Sequence, residues 1–238
     1  MQLFGNSYSN INSHPKIVEL CEKYKLKNFK KYIDINNYTL LSENGKTKFY
    51  KNNENSNLIL RVIKIQYRKE TIFRLLYSKN GDINEKLEYY KNIPNRFIVD
   101  SDLNRIKIIE WFIDDYTRYN NDGPCAIRYF SDENICNLSW NNKQGIMSNV
   151  EFPSYIYRFN SDEAFKYCYK INGNRINRVD LEIMIEKIRD GKIKKNINRY
   201  SNVNKLKIFK EIAEYYNLEE TIEAIENRFL ILKLENKI

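Results

Sequence analysis

The segment Asn121–Phe130 (NDGPCAIRYF) falls on Val150–Phe159 (VEFPSYIYRF) when the chain is moved along itself by 29 residues. Pro124 then lands on Pro153, Ile127 on Ile156 and Phe130 on Phe159. The same shift places Ile109, Leu138 and Tyr167 in one column and Trp111, Trp140 and Tyr169 in another. The two columns are two residues apart, so in a strand both point to one sheet face, while Glu110, Ser139 and Cys168 point to the other. Proline occurs only 4 times in 238 residues, which makes a proline match in phase with a tryptophan match hard to obtain from composition alone. A shorter copy, Ile83, Leu87 and Tyr89 in GDINEKLEYYKNIPNR, precedes these with a shift near 22. A unit this small has too little apolar surface to stand alone. Stacked neighbours bury a continuous ladder, so the repeat predicts a tandem of antiparallel hairpins.

The remainder of the chain frames that tandem. Ser13 and Pro15 open a helical pattern over about 13–33, with Ile17, Leu20, Cys21 and Tyr24 at helical spacing. Strand-like runs follow at Tyr38–Leu41, Leu58–Ile65, Thr71–Tyr77, Ile83–Tyr90, Ile106–Phe112, Cys125–Phe130, Ile135–Trp140, Tyr155–Phe159 and Ala164–Tyr169. Asn44-Gly45 supplies the left-handed backbone of a hairpin turn. From Asp180 the pattern is helical again: Asp180 reads as a cap, Gly191 as a C′ residue, and Asn217 with Glu220 as the cap and N3 of a last helix. The expected architecture is α+β: an N-terminal helical segment (1–35), an antiparallel β-hairpin repeat or meander (36–179) and a C-terminal helical segment (180–238).

The chain carries 40 Lys+Arg against 31 Asp+Glu, a formal charge of +9. Asn, Ile, Lys and Tyr are abundant while Gly (7) is scarce, as in an AT-rich coding sequence, so part of the lysine excess reflects base composition. The charge is segregated. Lys187, Arg189, Lys192, Lys194, Lys195, Arg199, Lys205, Lys207 and Lys210 face a single acid, Asp190, and the following stretch holds Glu211, Glu214, Glu219, Glu220, Glu223 and Glu226 with no base. Two readings stand: a contact patch for phosphate or an acidic partner, and two solvated faces that pair with each other or with water. Tyr155, Tyr157, Arg158, Tyr167, Tyr169 and Lys170 form an aromatic–basic cluster that would suit stacking on bases and neutralising phosphates; if Tyr167 and Tyr169 belong to the core, only Tyr155, Tyr157 and the charged residues remain for it.

Catalytic chemistry finds little to work with. The one histidine, His14, precedes a proline and has no nucleophile beside it, which reads as a surface capping residue. Asp114-Asp115, Asp132-Glu133 and Asp162-Glu163 fall at turn positions, where Asp bonds its own backbone; as paired carboxylates they would also suit a divalent cation. The phosphate-cradling G-x-x-x-x-G-K-[ST] and G-x-G-x-x-G motifs are missing from the sequence. Cys21, Cys125, Cys136 and Cys168 lie in apolar patterns without C-x-x-C spacing and are expected to be packed, reduced thiols. Residues 1–12 lack the basic and apolar regions of a signal peptide, and no apolar run reaches the roughly 18 residues of a membrane span. A soluble cytoplasmic protein is expected.

GDINEKLEYYKNIPNR, IIEWFIDDYTRYNNDGPCAIRYFSDENICNLSWNNKQG and YIYRFNSDEAFKYCYKINGNRINR together resemble the degenerate MORN-like repeats of large DNA viruses, phages and some bacteria. Asp122-Gly123-Pro124-Cys125-Ala126-Ile127 matches the Asp-Gly-Pro-Ala element, and Tyr169-Lys170-Ile171-Asn172-Gly173 matches the aromatic and Asn-Gly part. The family's His-Arg after the turn is missing, and Glu151-Phe152-Pro153 replaces a second Asp-Gly-Pro. The resemblance covers about 71–178 and implies a β-repeat that mediates contacts, with no catalytic residues and no cofactor. The expected role is therefore a non-enzymatic scaffold or virion-associated structural protein with a protein partner. Its candidate contact residues are Lys187, Arg189, Lys192, Lys194, Lys195, Arg199, Tyr155, Tyr157 and Arg158. Nucleic-acid binding through 187–210 and a carboxylate–metal enzyme are the alternatives.

Overall fold

The structure is a computed structural model and describes residues 15–90, 93–120 and 122–235. Ser13, His14 and the N-terminal segment lie outside the described residues. The fold is α+β. Its strands are β1 (Tyr38–Asn44), β2 (Thr47–Asn52), β3 (Leu58–Ile65), β4 (Glu70–Tyr77), β5 (Glu88–Tyr89), β6 (Arg96–Asp100), β7 (Arg105–Glu110), β8 (Ala126–Tyr129), β9 (Ile135–Ser139), β10 (Tyr155–Tyr157), β11 (Lys166–Ile171) and β12 (Asn174–Ile176). They follow chain order as an antiparallel meander, with β5 hanging off β4 beside β6. The helices are α1 (Pro15–Lys23), α2 (Lys27–Lys30), α3 (Arg178–Arg189), α4 (Lys192–Lys195), α5 (Val203–Tyr215) and α6 (Glu219–Leu234). Among the described residues no helix is long and apolar enough to cross a membrane.

The described residues gather into two compact units: the chain up to Gly145 with Ile156–Lys166, and Ile146–Tyr155 with the chain from Tyr167 onward.

In the first unit, register sorts the side chains into rows. Val62, Phe73, Phe97, Ile109, Ile127 and Leu138 pair successively across β3, β4, β6, β7, β8 and β9. All six are buried. This is the ladder that the columns of the repeat require, since each strand donates one apolar residue per face at every second position. Trp111 and Trp140 are both inside, 7% and 8% exposed. Phe159, in contrast, is 64% exposed although its counterpart Phe130 is half-buried, so the repeat loosens at its edge.

Trp111 explains a departure from the helical pattern over 13–33. The helix breaks after Lys23 and restarts at Lys27, and the chain then winds into 3-10 turns at Lys31–Ile33 and Ile35–Asn37. Tyr24 and Phe29 sit on either side of the break, and both meet the indole edge-on, with centroids at 5.9 and 6.3 Å. On one unbroken helix, five residues would set those rings roughly 140° apart around the axis. Gly123 lies against the same cluster: a Cβ there would run into the Tyr24 hydroxyl, which gives the Asp-Gly-Pro element a steric reason for its glycine.

The hairpin turns use left-handed residues where the pleat must reverse. Gly45 has φ +56° in the two-residue turn between β1 and β2, where Asn44 pairs with Thr47. The expected strand Ile83–Tyr90 is a correction: only Glu88–Tyr89 pair, and Tyr89 instead stacks on Phe112 at 5.9 Å.

In the second unit, β11 and β12 form a hairpin and α3–α6 pack around Leu181, Ile188, Leu206, Phe209, Ile212 and Ile225. Two caps differ from the sequence reading. Asn177, not Asp180, caps α3, accepting the Asp180 N–H at 2.8 Å, and Asp180 occupies N3. Asn217 is not an N-cap. It takes φ +54° as the C′ residue of α5, and the Leu218 N–H reaches the Ala213 carbonyl at 3.0 Å, a Schellman closure.

Candidate functional site

The basic segment is exposed but internally engaged. Lys187 and Arg189 lie on α3, Lys192, Lys194 and Lys195 on α4, and Arg199 in a 3-10 turn at Ile197–Arg199. Lys192 pairs with Asp190 at 2.9 Å, and this hydrogen bond raises its pKa. Lys194 pairs with Glu220 of α6 and holds that carboxyl below its ordinary range. Lys210 reaches Glu226 at 2.7 Å and Glu214 at 3.6 Å. The Arg189 guanidinium lies 5.5 Å from the Tyr216 ring centre. The basic and acidic stretches thus interleave through α4, α5 and α6. Lys187, Lys195 and Arg199 make no ion pair among the described residues.

The aromatic–basic cluster divides. Tyr155 is half-buried in one compact unit, and Tyr157 and Arg158 are half-buried in the other. Tyr157 packs edge-on against Phe159 at 5.5 Å. Arg158 is spent on structure: Nε donates to the Ile135 carbonyl at 2.9 Å, Nη1 donates to the Ser161 carbonyl, and the guanidinium lies over Phe165 at 4.6 Å. Tyr169 is buried, while Tyr167 is 44% exposed.

An open groove of about 490 Å³ is lined by Phe130, Ser131, Asp132, Asn160, Ser161, Asp162 and Glu163. Asp132 acts there as a turn residue. Asp132 accepts the Asn134 side-chain amide at 2.9 Å and its backbone N–H at 3.0 Å, and Asp114 accepts the N–H groups of Tyr116 and Thr117 at 2.8 and 2.7 Å, which holds both carboxyls below their usual range. Among the described residues no three His, Cys, Asp or Glu side chains gather as metal ligands. Cys125 is buried and its thiol is pushed up to about 11 by that burial, while Cys21, Cys136 and Cys168 are only half-buried.

Sequence reasoning missed a feature on the opposite sheet face. Next to the apolar ladder, Phe49, Arg61, Arg74, Arg96, Glu110, Ala126 and Ser139 pair successively across β2 to β9. Three arginines are therefore direct neighbours on adjacent strands, a placement that like charges resist. Glu110, 5% exposed, sits at the end of the three and accepts from Arg96 at 2.9 Å and Arg118 at 3.0 Å. Arg74 donates to the Tyr89 hydroxyl at 3.0 Å and lies 3.5 Å from Asp115, to which Tyr89 donates at 2.9 Å. Arg61 makes no side-chain hydrogen bond or ion pair among the described residues, and its guanidinium rests 5.5 Å from the Phe49 ring centre. The Nε of Arg61, Arg74 and Arg96 are all shielded from solvent and unpaired among the described residues. An unpaired buried donor costs about 1–3 kcal/mol. The sequence signal was an arginine inside each of three apolar strands: LILRVIKI, ETIFRLLY and RFIVD.

No protein-family model, curated protein or solved structure matches this chain.

Proposed function

We propose that the chain is a non-enzymatic interaction protein, a MORN-like β-repeat scaffold that meets a protein partner through its C-terminal helices. The observation that carries this reading is the second apolar stripe of α6. Leu232 and Ile225 are buried against the bundle, yet Leu230, Ile231 and Leu234 stand 58%, 39% and 76% exposed. A helix that is apolar on both sides is one that expects cover on both. On α3, Val179 and Ile183 are also exposed, one turn apart, with Lys187, which makes no ion pair among the described residues, a turn further on. An apolar patch edged by bases suits a partner with an apolar centre and an acidic rim. A virion-associated structural role falls within the same reading and draws on the resemblance of the repeat.

The test is Leu230→Glu with Leu234→Glu, compared with wild type in crosslinked material from the native source. The pair should leave Tm within about 2 °C, as surface changes do, and remove specific co-purifying proteins. An unchanged set of proteins in the folded variant would reject α6 as the contact.

A second reading, nucleic-acid binding, draws on Lys187, Lys195 and Arg199. Its signature is affinity that falls steeply with salt and flattens in the triple Gln variant; an apolar interface would change little with salt.

A further inference from the structure

We propose that the β3–β4–β6 face binds a phosphoryl oxyanion between Arg61 and Arg74, independently of any contact made by α6. The charges along this row are compensated everywhere except at one end. Glu110 serves both Arg96 and Arg118, and Asp115 with Tyr89 serves Arg74. Among the described residues Arg61 has no acid, although it stands directly opposite Arg74 in the register. Adjacent strands are about 4.8 Å apart, so the two arginine side chains rise as direct neighbours from one sheet face.

The geometry selects the ligand. The Arg61 guanidinium rests 5.5 Å from the Phe49 ring centre and its N–H donors meet no acceptor among the described residues, so the fork is open to a ligand. A monocarboxylate fills one such fork. A tetrahedral dianion offers oxygens to both guanidiniums at once and neutralises Arg61, the charge the row leaves without an acid, while Arg74 keeps Asp115. The shielded Nε–H groups of Arg61 and Arg74 then gain acceptors when the guanidiniums turn onto the anion, which relieves donors that are otherwise unpaired. Flanking isoleucines, Ile63 and Ile72 on the same face of β3 and β4, lower the local dielectric and strengthen the pairing.

Inorganic phosphate is the probe, titrated into the full chain at constant ionic strength with chloride exchanged out. Binding should be saturable, raise Tm, and move the side-chain Nε–H resonances of Arg61 and Arg74 while leaving that of exposed Arg128 in place. Arg61→Gln should weaken phosphate by about tenfold or more, because a charge-assisted fork is lost. Arg61→Lys, which keeps the charge without the fork, should fall between the two, and Arg128→Gln should match wild type. A non-saturating response, equal affinity in folded Arg61→Gln, or acetate binding as tightly as phosphate would each overturn the assignment. Should Arg61→Gln fail to fold, the wild-type resonances decide alone: shifts confined to Arg61 and Arg74 support the site, and shifts spread evenly over the arginines reject it.

Discussion

Asn95 and Phe112 are bonded as two strand residues would be, although one partner is a side chain. The Phe112 N–H donates to Asn95 Oδ1 at 2.8 Å, and Asn95 Nδ2 donates to the Phe112 carbonyl at 2.7 Å. Nδ2 also reaches the Tyr90 carbonyl at 3.1 Å, while the Asn95 backbone joins Leu75 and Glu110. Asn95 is 2% exposed, so water cannot replace these bonds. The amide extends the sheet past β7 and holds Phe112 against Tyr89. Asn95→Ala should cost about 2–4 kcal/mol in denaturant unfolding, since buried backbone groups lose their partners. Asn95→Asp should be worse at neutral pH, because a carboxylate then faces two carbonyl oxygens, and should recover in acid as it protonates. A neutral Asn95→Ala would mean that Phe112 finds other partners.

Glu110 is the counter-charge on which the arginine row depends. It is flanked by Arg96, whose side chain is 23% exposed, and Arg118, 44% exposed. Glu110→Gln keeps the shape and removes the charge, leaving four arginines, Arg61, Arg74, Arg96 and Arg118, with Asp115 alone. The expected cost is about 3 kcal/mol, toward the lower end for breaking a buried pair because the arginines retain some solvent. Added phosphate should recover part of that loss in thermal unfolding if the Arg61–Arg74 site accepts it, and chloride at equal ionic strength should not.

Local pattern carried the meander and long-range register carried the rest. β3 was legible to the residue, Leu58–Ile65, because β-branched side chains fill it. β2 was not, since all its residues are half-buried and TKFYKN shows no contrast between faces. β6 was lost because it is only five residues long and follows Pro94 and Asn95, which read as loop. The helical pattern over 13–33 was right about Ile17, Leu20 and Tyr24 and wrong about continuity, because the break is imposed by Trp111, distant in sequence. The arginine row could not be read at all: which arginine faces which depends on the pairings β3–β4 and β4–β6, and β5 intervenes in the chain between the last two. The basic segment was legible as charge, but its pairing with Glu220, Glu214 and Glu226 depends on how α4, α5 and α6 pack.

The tryptophans make the repeat measurable. Trp111→Ala should cost about 3–5 kcal/mol, as for other buried large rings, and release Tyr24 and Phe29 from their edge-on contacts. Trp140→Ala should cost a similar amount, since it is equally buried. Gly123→Ala should destabilise by about 1–3 kcal/mol through overpacking against Tyr24, and should alter the near-ultraviolet dichroism of Trp111 without touching it. If either tryptophan proved dispensable, its ring would be free for stacking on a ligand and the reading of the columns as core would fail.

Alkali should unfold the first unit through its tyrosines. Burial pushes the hydroxyls of Tyr24 and Tyr38 from 10.0 up to about 12, and raises that of Tyr129, which donates to the Tyr24 carbonyl at 2.8 Å. These groups bind their protons more tightly folded than unfolded, so the stability they contribute is complete below pH 10. It declines as pH rises from there through the folded values, where the unfolded chain has already ionised. For Tyr24, which is 3% exposed, a rise from 10.0 to about 12 is worth about 3 kcal/mol. Tyrosinate absorbance and far-ultraviolet dichroism should therefore change together above pH 10. Tyr24→Phe should move the alkaline midpoint upward, because the group whose ionisation drives unfolding is gone. Tyrosines that titrate near 10 with the dichroism intact would show that Tyr24 and Tyr38 are open to solvent and that α1 and α2 are not held on Trp111.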